Sequence, residues 1–263
     1  MSVQRTSPQF PNIPLRPASD PIAARAGGDA VEGARTADRS LLTVGVVAAV
    51  LGVVVEVAMG FLHPSHAQPN DSAAAFEEYS HSQDWTYVHI GQFAGALLVV
   101  ITLVAIARTL SGQPGFAGAM AVVGTITAAL VGAVFAVQMA VDGVALKATV
   151  DTWAHASSAA DRSTAFLVAD GVRSIEKALS SFFHLLNGTT LVVLGLSVLL
   201  GQGTRRWLGG VGVVAGAGFL VGGVVTSRTG FSPDSARILT PALLISAVFL
   251  IGTSISLRRV ARR

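Results

Sequence analysis

The sequence predicts an all-α integral membrane protein with six transmembrane helices, on three observations. Hydrophobic residues make up 51% of the chain and charged residues only 13%, about half the charge of an ordinary soluble domain. Six apolar windows of membrane-crossing length recur along it. Arginine and lysine gather at alternate ends of those windows. Strands of a transmembrane barrel would instead read as segments of roughly ten residues with alternating polarity, a pattern this sequence lacks.

The predicted spans are 41–62, 86–107, 119–141, 178–200, 208–225 and 239–257. A helix rising ~1.5 Å per residue crosses ~30 Å of hydrocarbon in about 20 residues, so each window is close to the required length. Residues 1–38 differ in kind. Pro8, Pro11, Pro14, Pro17 and Pro21 stand among scattered arginines with few large apolar residues, a composition that cannot build a core and predicts a disordered tail. The domain plan is therefore a tail over 1–38 and a six-helix transmembrane domain over 39–263, with outer loops at 63–85 and 142–177.

Orientation follows from the basic residues. With a cytoplasmic N-terminus, twelve of the 18 fall inside: Arg5, Arg16, Arg25, Arg35, Arg39, Arg108, Arg205, Arg206, Arg258, Arg259, Arg262 and Arg263. Lys147, Arg162, Arg173, Lys177, Arg228 and Arg237 fall outside. This is the positive-inside bias of short loops, and it places both termini in the cytoplasm. Ala/Val/Gly-rich helices with arginine preferred over lysine point to a GC-rich bacterium, hence to a bacterial plasma (inner) membrane. The net charge of +3 is a topology signal, and the lipid bilayer rather than nucleic acid is the expected partner. Absence of cysteine excludes disulfides, thiolate metal sites and cysteine nucleophiles.

Glycine punctuates the spans, most densely in the fifth, with Gly212, Gly216, Gly218, Gly222 and Gly223. Pairs four apart let backbones approach closely where lipid gives no hydrophobic drive, either within the chain or across a homodimer face on the fifth helix. Pro241 behind Thr240 is expected to open the sixth helix. A weak tandem repeat relates the first two hairpins. Residues 49–59 align with 129–139, and the second and fourth spans open on His89-Ile-Gly-Gln92 and His184-Leu-Leu-Asn187. Helices 1–2 and 3–4 then form two copies of one hairpin, related about the membrane normal, with helices 5–6 added.

The polar residues of that plan share a depth. Glu56, Gln138, Asp142, His89, Gln92, His184 and Asn187 all fall in the outer half of the bilayer, with His63 at its edge. An unpaired carboxylate near the middle of a membrane costs several kcal/mol, so the cluster predicts a site open to the outside or a set of interhelical hydrogen bonds. Histidine with carboxylate and no cysteine suits a transition metal. His63, His89, His184, Glu56 and Asp142 are the candidate metal ligands, and His89 with His184 the candidate axial ligands of a haem. Gln92, Gln138 and Asn187 support them. Two other readings stay open: a small-molecule or proton-coupled transporter using Glu56 and Asp142, and an accessory protein whose polar groups only join helices.

The outer loops offer His63/His66 and Glu78/His81, each three apart, as weaker chelating pairs. Residues 145–177, with Trp153, His155, Phe166 and Leu167, read as one or two amphipathic helices lying on the outer membrane surface. Glu176-Lys177 reads as an interfacial charge pair. No phosphate-cradling glycine motif or nucleophile elbow is present in the sequence.

Overall fold

The computed structural model describes residues 21–261 of the 263-residue chain, with side chains described from Arg39 onward. The tail expected over 1–38 lies outside the described residues for its first twenty positions. The backbone from Pro21 is helical. Among the described residues the structure is entirely helical and has no strand. Its order is α1 (Pro21–Leu62), α2 (Ser72–His81), α3 (Trp85–Leu110), α4 (Phe116–Ala140), a π-helical turn (Val141–Leu146), α5 (Lys147–Ala154), α6 (Ala159–Leu200), α7 (Arg206–Thr229) and α8 (Pro233–Ala261). Six helical stretches are long and apolar enough to cross a membrane: Arg39–Leu62, Trp85–Leu110, Phe116–Ala154, Ala159–Leu200, Arg206–Thr229 and Pro233–Ala261.

The spans alternate in direction, so the bundle has two unlike ends. One, called proximal here, carries Arg39, whose Nε donates to the Ala261 carbonyl at 2.9 Å. The distal end carries Leu62, Trp85, the start of α6 and the α7–α8 turn. Side-chain hydroxyls stitch the helices between these ends, as expected where no water competes. Thr102 donates to the Gly45 carbonyl, Ser197 to Ala117 and Ser181 to Gly223. Glycine sets the approach of α7 to its neighbours. A Cβ on Gly216 would lie 2.6 Å from the Gly188 carbonyl oxygen, one on Gly212 2.8 Å from the Phe249 ring, and one on Gly218 2.8 Å from Ala242. All three of these glycines face α6 or α8 of the same chain.

Three local expectations are corrected. The residues around 145–177 do not form separate surface helices. The third span continues through the π turn into α5, and α6 begins at Ala159 rather than near Ala178. At ~1.5 Å per residue the 42-residue α6 is about 63 Å long, twice the ~30 Å hydrocarbon thickness, so its first half overhangs the distal end. The overhang is stabilised by a second core, in which Phe76 and Tyr79 of α2 pack with Trp85, Leu146, Val150, Trp153 and Ala169. Pro241 lies inside α8 and does not start it. The start is set by Ser232, whose Oγ accepts from the Ser235 N–H at 3.2 Å, with Pro233 as the first helical residue, where its missing N–H costs nothing. Finally, Glu176 pairs with Arg173 and not Lys177: Nη1 to Oε2 is 2.8 Å. Adjacent helix residues diverge, whereas residues three apart share a face.

Candidate metal centre at the distal end of the bundle

The site is built where the apolar part of the bundle meets its overhang. Asp142 is the second residue of the π turn, and a π turn widens the helix and displaces carbonyls from the regular ladder. Two of these carbonyls take donors from the first turn of α3. Trp85 Nε1 donates to the Asp142 carbonyl at 3.0 Å, and Thr86 Oγ1 to the Gly143 carbonyl at 3.0 Å. Gly143 leaves room for His89, because a Cβ there would stand 2.5 Å from the His89 Cβ. His89 is 2% exposed and Asp142 6%. The imidazole lies against the Trp85 indole, with ring centroids 4.5 Å apart, and against His63 at 5.2 Å.

The hydrogen bonds assign the tautomers. His89 Nδ1–H donates to the Trp85 carbonyl at 2.7 Å, and His63 Nδ1–H donates to the Pro64 carbonyl at 2.7 Å. Each ring therefore carries a proton on Nδ1 and turns Nε2 inward, the orientation that backbone carbonyls impose on metal-ligating histidines. Burial, with the neighbouring His89 adding to it, lowers the His63 imidazole below its ordinary range, which keeps its Nε2 unprotonated near neutral pH. One ligand atom from each of His63, His89 and Asp142 lies within 4.8 Å of the others, the one such group among the described residues. His89 Nε2 and Asp142 Oδ2 are 3.0 Å apart, yet Nε2 makes no properly directed hydrogen bond. Two ligands on one tetrahedral ion at ~2.1 Å stand about 3.4 Å apart with their lone pairs converging off the line between them. The observed pair is closer than such an edge, at the distance of an ion pair, and shares with it only the misdirection.

Behind this group lies a cavity of about 370 Å³ whose walls include His63, Asp142, Gln138, Glu56, Gln92 and Arg173. Glu56 Oε1, Gln138 Oε1 and Asp142 Oδ1 are buried on its walls and accept no hydrogen bond from another side chain or the backbone. Arg173, 2% exposed, closes one wall. Its Nη2 donates to the Pro69 carbonyl at 3.0 Å, and its guanidinium sits 5.1 Å from the Tyr79 ring centre and 5.2 Å from that of Phe231. Burial pushes the Tyr79 phenol up to about 12, so it stays protonated. The segment 63–71 covers the cavity from the distal side. Glu78 clamps it by accepting from the His66 and Ala67 N–H groups at 2.9 Å and from the His66 ring at 3.0 Å. Asn70 ties it to the α7–α8 turn by donating to the Thr229 carbonyl at 2.8 Å.

The residues anticipated from sequence separate into two sets. His63, His89 and Asp142 come together; Glu56, Gln92 and Gln138 line the adjoining cavity. His184 and Asn187 belong to neither. His184 packs between Phe183 and Phe219, with ring centroids at 5.3 and 5.8 Å, and its Nδ1 is unpaired. Phe183 in turn packs on Phe135 of α4 at 4.7 Å. Phe135 is seven residues below Asp142, about 10 Å along the helix axis. His184 therefore sits about two turns deeper than His89, near the level of Glu56, and the equal depth expected for the two histidines does not hold. That expectation started the fourth span at 178. His66 and His81 are likewise engaged elsewhere, with Glu78 and with the Glu77 carbonyl. Arg173, Glu176, Trp85, Thr86 and Gly143 were not anticipated as parts of the site. The Arg173/Glu176 spacing of three was the one available signal.

Comparison with protein families, curated proteins and solved structures finds no match for this chain.

Proposed function

We infer that this polytopic membrane protein binds one divalent transition-metal ion through His63, His89 and Asp142. The observation that carries the reading is the convergence of one ligand atom from each of these residues within 4.8 Å. Two neutral imidazoles and a carboxylate form a borderline donor set suited to zinc and its neighbours. Three protein ligands leave a fourth position free, and a free position is the mark of sites that bind water or a substrate rather than merely brace a fold. His63 and Asp142 line the cavity, which supports an open position on that side. A small ion suits the site better than a haem, because His89 is enclosed by Trp85, His63 and Gly143 and His184 is about two turns away. The positive-inside bias supports cytoplasmic termini, and the Ala/Val/Gly-rich composition with arginine over lysine supports a bacterial plasma membrane, so that the ion sits toward the outer face.

The test is a cobalt titration of the detergent-purified protein, stripped with chelator, followed by visible absorption. Saturation at about one equivalent, with the strong d–d bands of a tetrahedral nitrogen/oxygen site, is expected. Asp142→Asn and His63→Ala should weaken binding by at least 10-fold, whereas His184→Ala should titrate as the parent does. Equal titration by all four proteins would refute the assignment.

A further inference from the structure

The two ends of the bundle treat their cations differently. Four at the distal end, Lys147, Arg162, Arg173 and Arg237, each meet a carboxylate: Asp151, Glu77, Glu176 and Asp234. At the proximal end Arg39, Arg108, Arg205, Arg206, Arg258 and Arg259 have no carboxylate partner among the described residues. From Arg39 onward the proximal half of the bundle contains no Asp or Glu at all. The fold also gathers these charges from separate parts of the chain. The α6–α7 turn lies against the last turn of α8, since a Cβ on Gly203 would stand 3.6 Å from Val260, so the Arg205/Arg206 and Arg258/Arg259 pairs share one corner. Arg39 joins them from α1 through its bond to the Ala261 carbonyl. Arg108 ends α3, and Gln113 in the turn that follows exchanges two hydrogen bonds with Gln202 of the α6–α7 turn, both at 3.1 Å. The positive-inside bias explains why arginine is on this side. It requires neither that four elements converge nor that their charges stay unpaired.

We propose that this arginine cluster binds the headgroups of anionic phospholipids in the leaflet at the proximal end, with Arg205, Arg206 and Trp207 as its exposed centre. Place and chemistry both favour that partner. Arg39, Leu110, Arg206 and Ala261 are ends of membrane-crossing helices, so the cluster stands where the hydrocarbon gives way to headgroups. Trp207, in the first turn of α7, is 55% exposed, as aromatic residues are when they sit at headgroup level. Arg205 and Arg206 beside it are exposed as well. A guanidinium presents forked donors that match two phosphate oxygens at once, and basic pockets between helices at a membrane surface suit anionic headgroups. A zwitterionic lipid brings its own ammonium, which offsets its phosphate and leaves the arginines uncompensated. The cluster shares no residue with the metal centre and lies at the opposite end of the bundle.

The experiment is thermal unfolding of the full chain, purified in a nonionic detergent and titrated at constant ionic strength. The additives are dioctanoyl-phosphatidylglycerol, dioctanoyl-phosphatidylcholine and inorganic phosphate. Phosphatidylglycerol should raise Tm by a few degrees in a saturable manner, and the other two should not. An arginine near an anionic surface is worth roughly 5-fold in affinity. The double variant Arg205→Gln/Arg206→Gln should therefore shift the phosphatidylglycerol midpoint about 25-fold, and Arg259→Gln alone about 5-fold. Arg237→Gln, at the distal end, should respond as the parent does. Helix content by circular dichroism is the control for folding, so the result stands whatever the metal centre binds. An equal rise with phosphatidylcholine would overturn the proposal, as would a rise that inorganic phosphate reproduces. So would midpoints unchanged in both the double variant and Arg259→Gln.

Discussion

At Gly143 a hydrogen atom decides whether His89 and Asp142 can meet. The His89 ring occupies the space a side chain would fill, so Gly143→Ala should push the imidazole off Asp142 and weaken zinc affinity by roughly 10–100-fold, the usual penalty for disturbing a ligand's support. Equilibrium dialysis of the variant checks this, with helix content by circular dichroism as the control. Trp85 acts one step further out. Trp85→Phe keeps the ring against His89 but removes the donor to the Asp142 carbonyl, leaving a buried acceptor unpaired. Stability should fall by about 1–3 kcal/mol, read as a lower denaturation midpoint. At this scale the sequence was informative where polarity stood out against an apolar helix, as with Glu56, His89, Gln138 and Asp142. It was silent on Gly143 and Trp85, whose roles consist of space and of one directed N–H.

At the scale of elements, the π turn and the 63–71 segment hold the centre from opposite sides. Deleting Ala145 from the π turn should restore a regular helix and rotate α5 by about 100°, taking Val150 and Trp153 away from Phe76. The expected result is loss of cobalt binding with the remaining spans still helical, measured by visible absorption and circular dichroism together. The 63–71 segment depends on Glu78. Burial raises its carboxyl, but the His66 and Ala67 N–H groups and the His66 ring outweigh that and hold it below the ordinary carboxylate range. A depressed carboxyl contributes stability that is present above its ordinary value of about 4.3 and is lost as pH falls through the lowered one. Proteolysis within 63–71 should therefore accelerate as pH drops from roughly 5 to 3 in the parent protein. Glu78→Gln should be cleaved faster at neutral pH and respond less to acid. The six spans were legible because twenty apolar residues have one use in a bilayer. Their distal boundaries were not, because the amphipathic stretch 159–177 prolongs α6 under a small second core and hydropathy cannot distinguish that from a helix lying on the surface.

For the molecule as a whole, the arrangement is an apolar bundle bearing an ionisable pocket at one end. Arg173 joins the parts, since it binds Glu176 on its own helix, the Pro69 carbonyl of the covering segment, and the rings of Tyr79 and Phe231. Removing one member of such a buried pair strands the other, so Arg173→Ala should destabilise by about 3–5 kcal/mol. The pocket follows from topology. Six alternating spans bring the ends of α1 and α4 and the start of α3 to one end of the bundle, so residues 63, 89 and 142 meet although the chain separates them widely. The histidine match that suggested His184 as a partner of His89 was a likeness of sequence between two helices, of which α3 starts within a residue of the assumed span and α6 nineteen residues before it.

Metal binding by His63, His89 and Asp142 is read from elemental analysis of the protein purified in detergent from cells grown with zinc, iron, copper and manganese. About one equivalent of a single transition metal per chain is expected, retained by His184→Ala and lost from Asp142→Ala and His89→Ala. Protein free of metal, or the same metal content in all four proteins, would contradict it.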